Sequence, residues 1–156
     1  MEAVITSVPG KPNLLLGAYD LATLGYGAEE FFVSGTARSY APPGSADYTT
    51  RIAVLLPTDT AEFNGTAIVE WLNVSAGIDA PAVWFMAHRE IVRAGYAYVA
   101  VSAQHVGVEG GDNLLGFNMS LKAQDPERYS RLHHPGDAFA YDIYTQVSRL
   151  VRDGAI

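Results

Sequence analysis

The chain has 156 residues, of which 49% are hydrophobic and 17% charged, so it has the length of one domain and enough apolar side chains for a core. Its net charge of −7 and its ten scattered Lys and Arg residues argue against binding nucleic acid through phosphate neutralisation. It has no cysteine, which excludes disulfides and thiolate metal ligands and is in keeping with a cytoplasmic location. We expect neither secretion nor membrane association, because the first residues lack a signal-peptide pattern and no apolar run approaches the roughly 18 residues of a membrane span.

The first part of the chain predicts an antiparallel pair of strands. Residues 1–29 are rich in Gly, Pro and Leu without a regular period, which indicates a wrapping segment with room for one short strand. Residues 31–37 have strand composition, and the sequence YAPPGSAD at 40–47 is dense in turn-forming residues. Residues 48–56 alternate between apolar and mostly polar side chains in their first half, and a proline ends the run. We therefore predict two strands joined by a turn over 40–47.

A strand, a helix and a second strand are predicted next. Residues 66–74 are almost continuously apolar, as are residues 96–102, which is typical of parallel strands covered on both faces. Between them, Asp79 is predicted to cap the start of a helix, and Gly95 is predicted to cap its end. The apolar stripe of this helix is predicted to consist of Val83, Trp84, Ala87, Ile91 and Val92.

A polar excursion and a second helix complete the sequence. Residues 103–134 are too long for an ordinary connection, so we expect them to be functional or to contain short elements of their own. Asp137, in the sequence HHPGD, is predicted to cap the second helix, and Gly154 is predicted to end it. Its apolar stripe consists of Phe139, Ile143, Val147, Leu150 and Val151.

The sequence IVEWLNVSAGID at 68–79 predicts a functional loop. An apolar strand ends there in Asn, Ser and Gly, and ligands of open α/β sheets bind at the carboxyl ends of the strands. Backbone N–H groups of the segment NVSAGID at such a turn can stabilise a developing negative charge. The alternative is a purely structural turn, in which polar side chains bond to nearby backbone. Gln104 and His134 are predicted at the same end of the sheet, where they can line a pocket.

The sequence contains no recognisable motif of a catalytic nucleophile. No Gly-x-Ser sequence occurs, and Ser102, three residues before His105, lacks the strained turn that exposes a catalytic serine. His133 and His134 suggest a metal site only weakly, because adjacent side chains point apart and no His-Glu-x-x-His pattern occurs. No phosphate-binding glycine motif follows a strand. A nucleotide cofactor therefore has no support in the sequence.

Several long segments in order resemble one family. FNGTAIVEWLNVSAGIDAPAVWF, RAGYAYVAVSAQHVGVEG and LKAQDPERYSRLHHPGD are similar to the mostly bacterial "alpha/beta hydrolase domain" proteins. The resemblance implies an α/β fold: the N-terminal half of an α/β-hydrolase sheet, in three layers, with an antiparallel strand pair followed by strand, helix, strand and helix. It implies a single domain over 1–156, with a wrapping segment at 1–29 and the sheet and helices over 30–156.

The resemblance also implies an activity and its limits. It points to an esterase-like serine hydrolase that acts on a small-molecule ester without a cofactor. It carries over the oxyanion-side loop at Asn73, Val74 and Ser75, and the pocket residues Gln104 and His134. The sequence ends before the strand that bears the nucleophile elbow, so the resemblance carries over no member of the catalytic triad. We expect a truncated domain that is inactive alone and needs its C-terminal half or a complementing chain.

Three hypotheses follow for the function. In the first, the chain is the N-terminal part of a serine hydrolase. In the second, it is a non-catalytic binding or assembly module that uses an exposed strand edge, because the strand at 66–74 would lack its second neighbour and nothing in the sequence blunts that edge. In the third and weakest, His133 and His134 serve a metal-dependent hydrolase.

Overall fold

Five strands of the described residues form one sheet. The computed structural model describes residues 3–15, 17 and 20–156. The sheet has the order β1-β2-β3-β5-β4, and every neighbouring pair is antiparallel except β4 with β5, which is parallel. The strands are β1 (Val4–Val8), β2 (Tyr26–Tyr40), β3 (Pro43–Pro57), β4 (Ala67–Trp71) and β5 (Ala97–Val101).

Two long helices and two short ones accompany the sheet. They are α1 (Ala82–Ala94), α2 (His105–Glu109), α3 (Leu121–Gln124) and α4 (Ala140–Arg152). Short 3₁₀ turns precede β2, β4 and α4. Within the described ranges, none of these helices has the length and apolar character needed to cross a lipid bilayer.

The two long helices cover opposite faces of the sheet. Side chains alternate along β5, so Tyr98 packs with Trp84 of α1 on one face, with ring centroids 5.3 Å apart. On the other face Val99 belongs to a cluster with Ile143 of α4. The sheet lies between two helical layers, which confirms the predicted three-layer α/β class.

The N-terminal hairpin is much longer than predicted. Strands β2 and β3 pair without interruption from Tyr26 opposite Pro57 to Tyr40 opposite Pro43. The predicted turn over 40–47 is therefore wrong, because the chain reverses at only two residues, 41 and 42. Hydrogen bonding between β2 and β3 determines where the strands end, although residues 40–47 have the composition of a turn. The Thr36 hydroxyl, for example, donates to Asp47 Oδ1 at 2.7 Å.

The sheet also begins earlier than predicted. Strand β1 lies inside the segment 1–29, where only a wrapping role with one short strand was expected, and it pairs along its whole length with β2. Strand β2 itself begins at Tyr26. The short strand allowed for in 1–29 is therefore present as β1, and of the other strands only β2 starts before the predicted boundary at residue 30.

A carboxylate from the sheet, rather than Asp79, caps helix α1. Glu70 Oε1 accepts a hydrogen bond from the Val83 N–H at 2.8 Å, and Oε2 accepts from the Trp84 N–H at 3.3 Å. The Tyr98 hydroxyl also donates to Glu70. The prediction that Asp79 caps this helix is wrong, whereas Gly95 ends it at a φ of 71°, as predicted.

We expect Glu70→Gln to lower the free energy of unfolding by about 1–2 kcal/mol. The neutral amide keeps the size of the side chain but removes the negative charge from the helix N-terminus, and its NH₂ group cannot accept from an N–H. Urea denaturation followed by circular dichroism measures the change. Glu90→Gln, at an exposed position of the same helix, is the matched control and should have little effect.

The apolar stripe of α1 differs from the prediction at two positions. Val83 is 39% exposed, so its predicted place in the stripe is wrong. His88 is buried instead, and its Nδ1 lies 3.1 Å from the Trp84 carbonyl oxygen. The buried members of the helix are Trp84, His88 and Ile91.

The excursion at 103–134 has a small core of its own. It contains α2 and α3, which confirms that short elements account for its length. Asp137 follows the excursion, and its Oδ1 accepts from the His105 N–H at 2.7 Å, at the start of α2. The prediction that Asp137 caps the second long helix is therefore wrong. The buried cluster of the excursion consists of Phe32, Val108, Leu121, Tyr129 and Leu132.

Strand β4 has one neighbour among the described strands, and its other edge is open. The Leu72 N–H donates to the Val101 carbonyl at 3.1 Å, so even-numbered residues direct their backbone groups towards β5. The backbone groups of Ala67, Val69 and Trp71 therefore point to the open edge. Among residues 3–15, 17 and 20–156, only one of these groups has a partner: the Tyr144 hydroxyl of α4 donates to the Val69 carbonyl oxygen at 2.7 Å.

Candidate functional site

Four of the five predicted site residues line one cavity at the carboxyl ends of β4 and β5. The cavity has a volume of about 470 Å³, and Asn73, Val74, Ser75 and Gln104 form part of its wall. Open α/β sheets bind ligands at this end of their strands. The remaining wall consists of Val106, Asp112, Asn113, Leu114 and Asp137.

Backbone hydrogen bonds distinguish the three residues of the predicted oxyanion loop. The Asn73 N–H donates to the Ala80 carbonyl at 3.1 Å, and the Ser75 N–H donates to Asn73 Oδ1 at 3.0 Å. The Val74 N–H has no acceptor among the described residues. Of the three backbone N–H groups, only that of Val74 has no hydrogen-bond acceptor among the described residues.

The loop is held in place by the excursion that faces it. Gly77 has a φ of +73°, and a Cβ atom there would lie 2.5 Å from the Phe117 carbonyl oxygen, so only glycine fits. The Met119 N–H donates to the Gly77 carbonyl at 3.2 Å, and the Leu114 N–H donates to the Ser75 carbonyl at 3.4 Å. These contacts fix the cavity wall from two sides.

Gln104 is oriented by an aromatic side chain at the open sheet edge. The Trp71 indole N–H donates to Gln104 Oε1 at 2.9 Å. Because an indole nitrogen can only donate, the atom that it meets must be the amide oxygen. The Gln104 NH₂ group is therefore left as a donor in the cavity wall.

His134 lies below the cavity and does not line it, contrary to its predicted role. The residue is 2% exposed, with Nε2 2.9 Å from the Ala103 carbonyl oxygen, and the Gly136 N–H donates to Nδ1 at 3.2 Å. This pattern requires a neutral ring protonated at Nε2. Burial lowers the pKa of His134, against smaller opposing effects from the Ala103 bond and from the Asp137 and Glu109 carboxylates.

We expect the free energy of unfolding to fall as the pH drops from 7.5 to 5. The folded-state pKa of His134 lies below the unfolded value of 6.5, so its stabilising contribution is complete above pH 6.5 and is lost as the pH falls through the folded-state pKa. Urea denaturation at several pH values measures the slope. His134→Gln should flatten it, whereas His133→Gln, at the exposed neighbour, should leave it unchanged.

A buried ion-pair network that the sequence did not reveal anchors the other end of the loop. Arg51 is fully buried, and its Nη2 lies 2.9 Å from Asp79 Oδ2. Its Nε donates to Ser102 Oγ at 2.9 Å, and the Ser102 hydroxyl donates to the same Asp79 oxygen at 2.5 Å. Ser102 therefore has a structural role, and within the described part of the chain no histidine ring is hydrogen-bonded to its hydroxyl. The one signal in the sequence was a charged residue inside the predicted strand at 48–56.

The network continues through a second carboxylate. Glu30 Oε1 lies 3.9 Å from Arg51 Nη1 and accepts from the Tyr129 hydroxyl at 2.8 Å. Arg128 Nε donates to Glu30 Oε2 at 2.8 Å. Burial raises the pKa of Tyr129 to about 12, so its hydroxyl stays protonated as a donor. Two arginines and two carboxylates thus balance one another and join β2, β3, the loop and the excursion.

The histidine pair at 133 and 134 does not form a metal site. His133 is exposed and its backbone pairs with Thr49, whereas the ring of His134 is buried and bonded to backbone. In the described part of the chain no group of three or more His, Cys, Asp or Glu side chains is placed to hold a metal ion.

The fold is that of an α/β protein with a cavity at the carboxyl ends of two parallel strands, beside a loop in which one backbone N–H has no acceptor among the described residues. The family model described as "Alpha/beta hydrolase domain" matches residues 3–156. The chain belongs to this alpha/beta hydrolase domain family, which confirms the resemblance and indicates a hydrolase type of function. No curated protein and no solved structure matches the chain.

Proposed function

We propose that the chain forms the oxyanion-binding and substrate-binding part of a serine hydrolase that cleaves esters or related acyl compounds. The observation that supports this most directly is the Val74 N–H, which has no acceptor in the described part of the chain and belongs to a residue of the cavity wall. The cysteine-free composition suits a cytoplasmic enzyme.

In this proposal the chain stabilises charge but does not attack the substrate. When a serine oxygen attacks an ester carbonyl, the carbonyl oxygen becomes negatively charged, and the Val74 N–H donates to it. The Gln104 NH₂ group provides a second donor, which orients the substrate. The serine proton passes to a histidine base, and the alkoxide leaves with that proton.

The nucleophile and its base come from outside residues 1–156 in this proposal. Among the described residues, Ser102 is buried beside Asp79, and no histidine ring accepts from a serine hydroxyl. We propose that a strand from the C-terminal half of the protein, or from a complementing chain, supplies the serine and pairs with the open edge of β4. Such pairing would satisfy the backbone groups of Ala67 and Trp71.

The test compares this chain with the product of the complete reading frame. A fluorophosphonate probe should label a serine outside residues 1–156, and hydrolysis of 4-nitrophenyl butyrate should require that serine. Within the complete product, Val74→Pro removes the N–H and should lower kcat about 100- to 1000-fold. Val74→Ala keeps the N–H and should retain most of the activity.

Two results would contradict the proposal. One is turnover by residues 1–156 alone that Ser102→Ala abolishes. The other is a Val74→Pro variant that keeps its circular dichroism spectrum, its thermal stability and its activity.

The second candidate is a non-catalytic binding or assembly module. It is favoured by the open edge of β4, where Ala67 and Trp71 present backbone groups without partners among the described residues. In this case, the complete product should bind a partner polypeptide through β4 but show neither probe labelling nor ester turnover. A metal-dependent hydrolase has no support from the positions of His133 and His134.

A further inference from the structure

We infer that the cavity at the ends of β4 and β5 selects substrates that carry a positive charge, accepts neutral ones less well and rejects anionic ones. The inference rests on the proposed function, because it assigns the charge of the substrate for that same site. Its first basis is the wall itself, which contains the carboxylates of Asp112 and Asp137 and no Lys, Arg or His side chain.

Two basic side chains on elements that adjoin the cavity, Arg51 and Lys122, are already paired with carboxylates outside its wall. Arg51 lies under the loop and binds Asp79 and Glu30, and all three side chains are buried. Lys122 of α3 lies 2.7 Å from Glu109 at the end of α2. The wall of the cavity therefore keeps a net negative charge.

The carboxylates of Asp112 and Asp137 differ in their hydrogen bonds, so substitutions can distinguish the effect of charge from the effect of a lost structural contact. Asp137 Oδ1 accepts from the His105 N–H, so this side chain has a fixed position. Asp112 is exposed, and its carboxylate has no hydrogen bond to the described residues. Replacing Asp112 with asparagine therefore removes charge without removing a structural contact.

The rest of the wall defines the other parts of the ligand. Val74, Val106 and Leu114 provide apolar surface for an acyl chain. The Val74 N–H and the Gln104 NH₂ group are donors, which suit a carbonyl oxygen. The complete ligand is thus an acyl ester with a cationic group, such as a quaternary or protonated amine, on its alcohol or acyl part.

Three probes of similar shape test the effect of charge on binding. Butyrylcholine is cationic, 3,3-dimethylbutyl butyrate is its neutral counterpart, and butyryloxyacetate is anionic. Titrations of the isotope-labelled chain, followed by amide chemical shifts of residues 73–75 and 104, give the dissociation constants. A charge about 4 Å from one carboxylate changes binding by roughly fivefold in water, so butyrylcholine should bind at least that much more tightly than the neutral probe at low salt.

The variants assign this preference to the cavity. Asp112→Asn should reduce the advantage of butyrylcholine severalfold, and the pair Asp112→Asn with Asp137→Asn should abolish it. Asparagine at 137 retains an oxygen that can accept from the His105 N–H. Glu127→Gln removes an exposed charge outside the wall and is the matched control, which should leave the advantage unchanged.

Three results would overturn the inference: equal or tighter binding of butyryloxyacetate, a cation preference that survives both asparagine substitutions, or no shift at residues 73–75 and 104 with any probe. Because binding is read without turnover, this outcome is separate from that of the proposed function. Selective binding by a chain whose complete product hydrolyses no ester would support the charge preference and refute the hydrolase proposal.

Discussion

We expect Asp79→Ala to lower the free energy of unfolding by about 3–5 kcal/mol, because it leaves the buried Arg51 guanidinium without its closest carboxylate. Glu30 cannot replace Asp79, since it lies 3.9 Å from Arg51 and is already bound by Arg128 and Tyr129. The Ser102 hydroxyl also loses its acceptor. Urea denaturation followed by circular dichroism measures the loss, with an unchanged dependence on urea concentration indicating that the unfolded state is the same.

The matched control for this prediction is Asp153→Ala. Asp153 pairs with Arg152, but both side chains are more than half exposed, so solvent screens the pair and no measurable loss is expected. Equal effects of the two substitutions would show that the Arg51 network does not stabilise the fold.

Gly107→Ala should lower the free energy of unfolding by about 1–3 kcal/mol, although alanine normally stabilises a helix relative to glycine. A Cβ atom at this position of α2 would lie 2.0 Å from Asp79 Oδ1. That oxygen is buried without a hydrogen-bond partner, and its carboxylate is held by Arg51 and Ser102, so it cannot move aside cheaply. Thermal and urea denaturation of the variant measure the loss.

Gly27→Ala is the control for the general effect of replacing glycine with alanine where no steric clash is expected. A Cβ atom on this strand residue would approach nothing more closely than Thr58 Cγ2 at 3.6 Å, which is an ordinary contact. Its stability should remain the same or rise. A Gly107→Ala variant that is more stable than the parent would show that Asp79 does not occupy the space beside α2.

The order of the central elements could be predicted because it depends on local patterns. The continuous apolar runs that became β4 and β5 and the 3.6-residue period of the two long helices need no knowledge of distant residues. The hairpin of β2 and β3 could not be predicted in the same way. The sequence at 40–47 has the composition of a turn, yet cross-strand pairing extends both strands to residues 40 and 43.

The predicted helix-capping residues were wrong for a related physical reason. The sequence suggests a capping residue only when it lies next to the helix in the chain. In this fold Glu70 reaches α1 from a neighbouring strand, and Asp137 reaches α2 across 32 positions of sequence. The true partner of Asp79 is Arg51, 28 positions away.

The sequence predicts the location of four candidate residues at the carboxyl ends of two strands, but it does not predict their hydrogen bonds. Its position follows from the general rule that loops at the carboxyl ends of parallel strands form the site. The availability of the Val74 N–H, by contrast, depends on which neighbouring acceptors Asn73 and Ser75 use. His134 was predicted from its position in the sequence alone, and the fold buries its ring against Ala103.

The aromatic residues at the open edge of β4 allow binding at this edge to be followed by intrinsic tryptophan fluorescence. The chain has two tryptophans, and Trp84 is fully buried on the far side of the sheet. Trp71 lies at the edge between Tyr141 and Tyr144, with ring centroids 5.3 and 5.4 Å away. A strand that pairs with this edge would compete with the Tyr144 hydroxyl for the Val69 carbonyl oxygen, next to the Trp71 ring, so we expect docking to change the tryptophan emission.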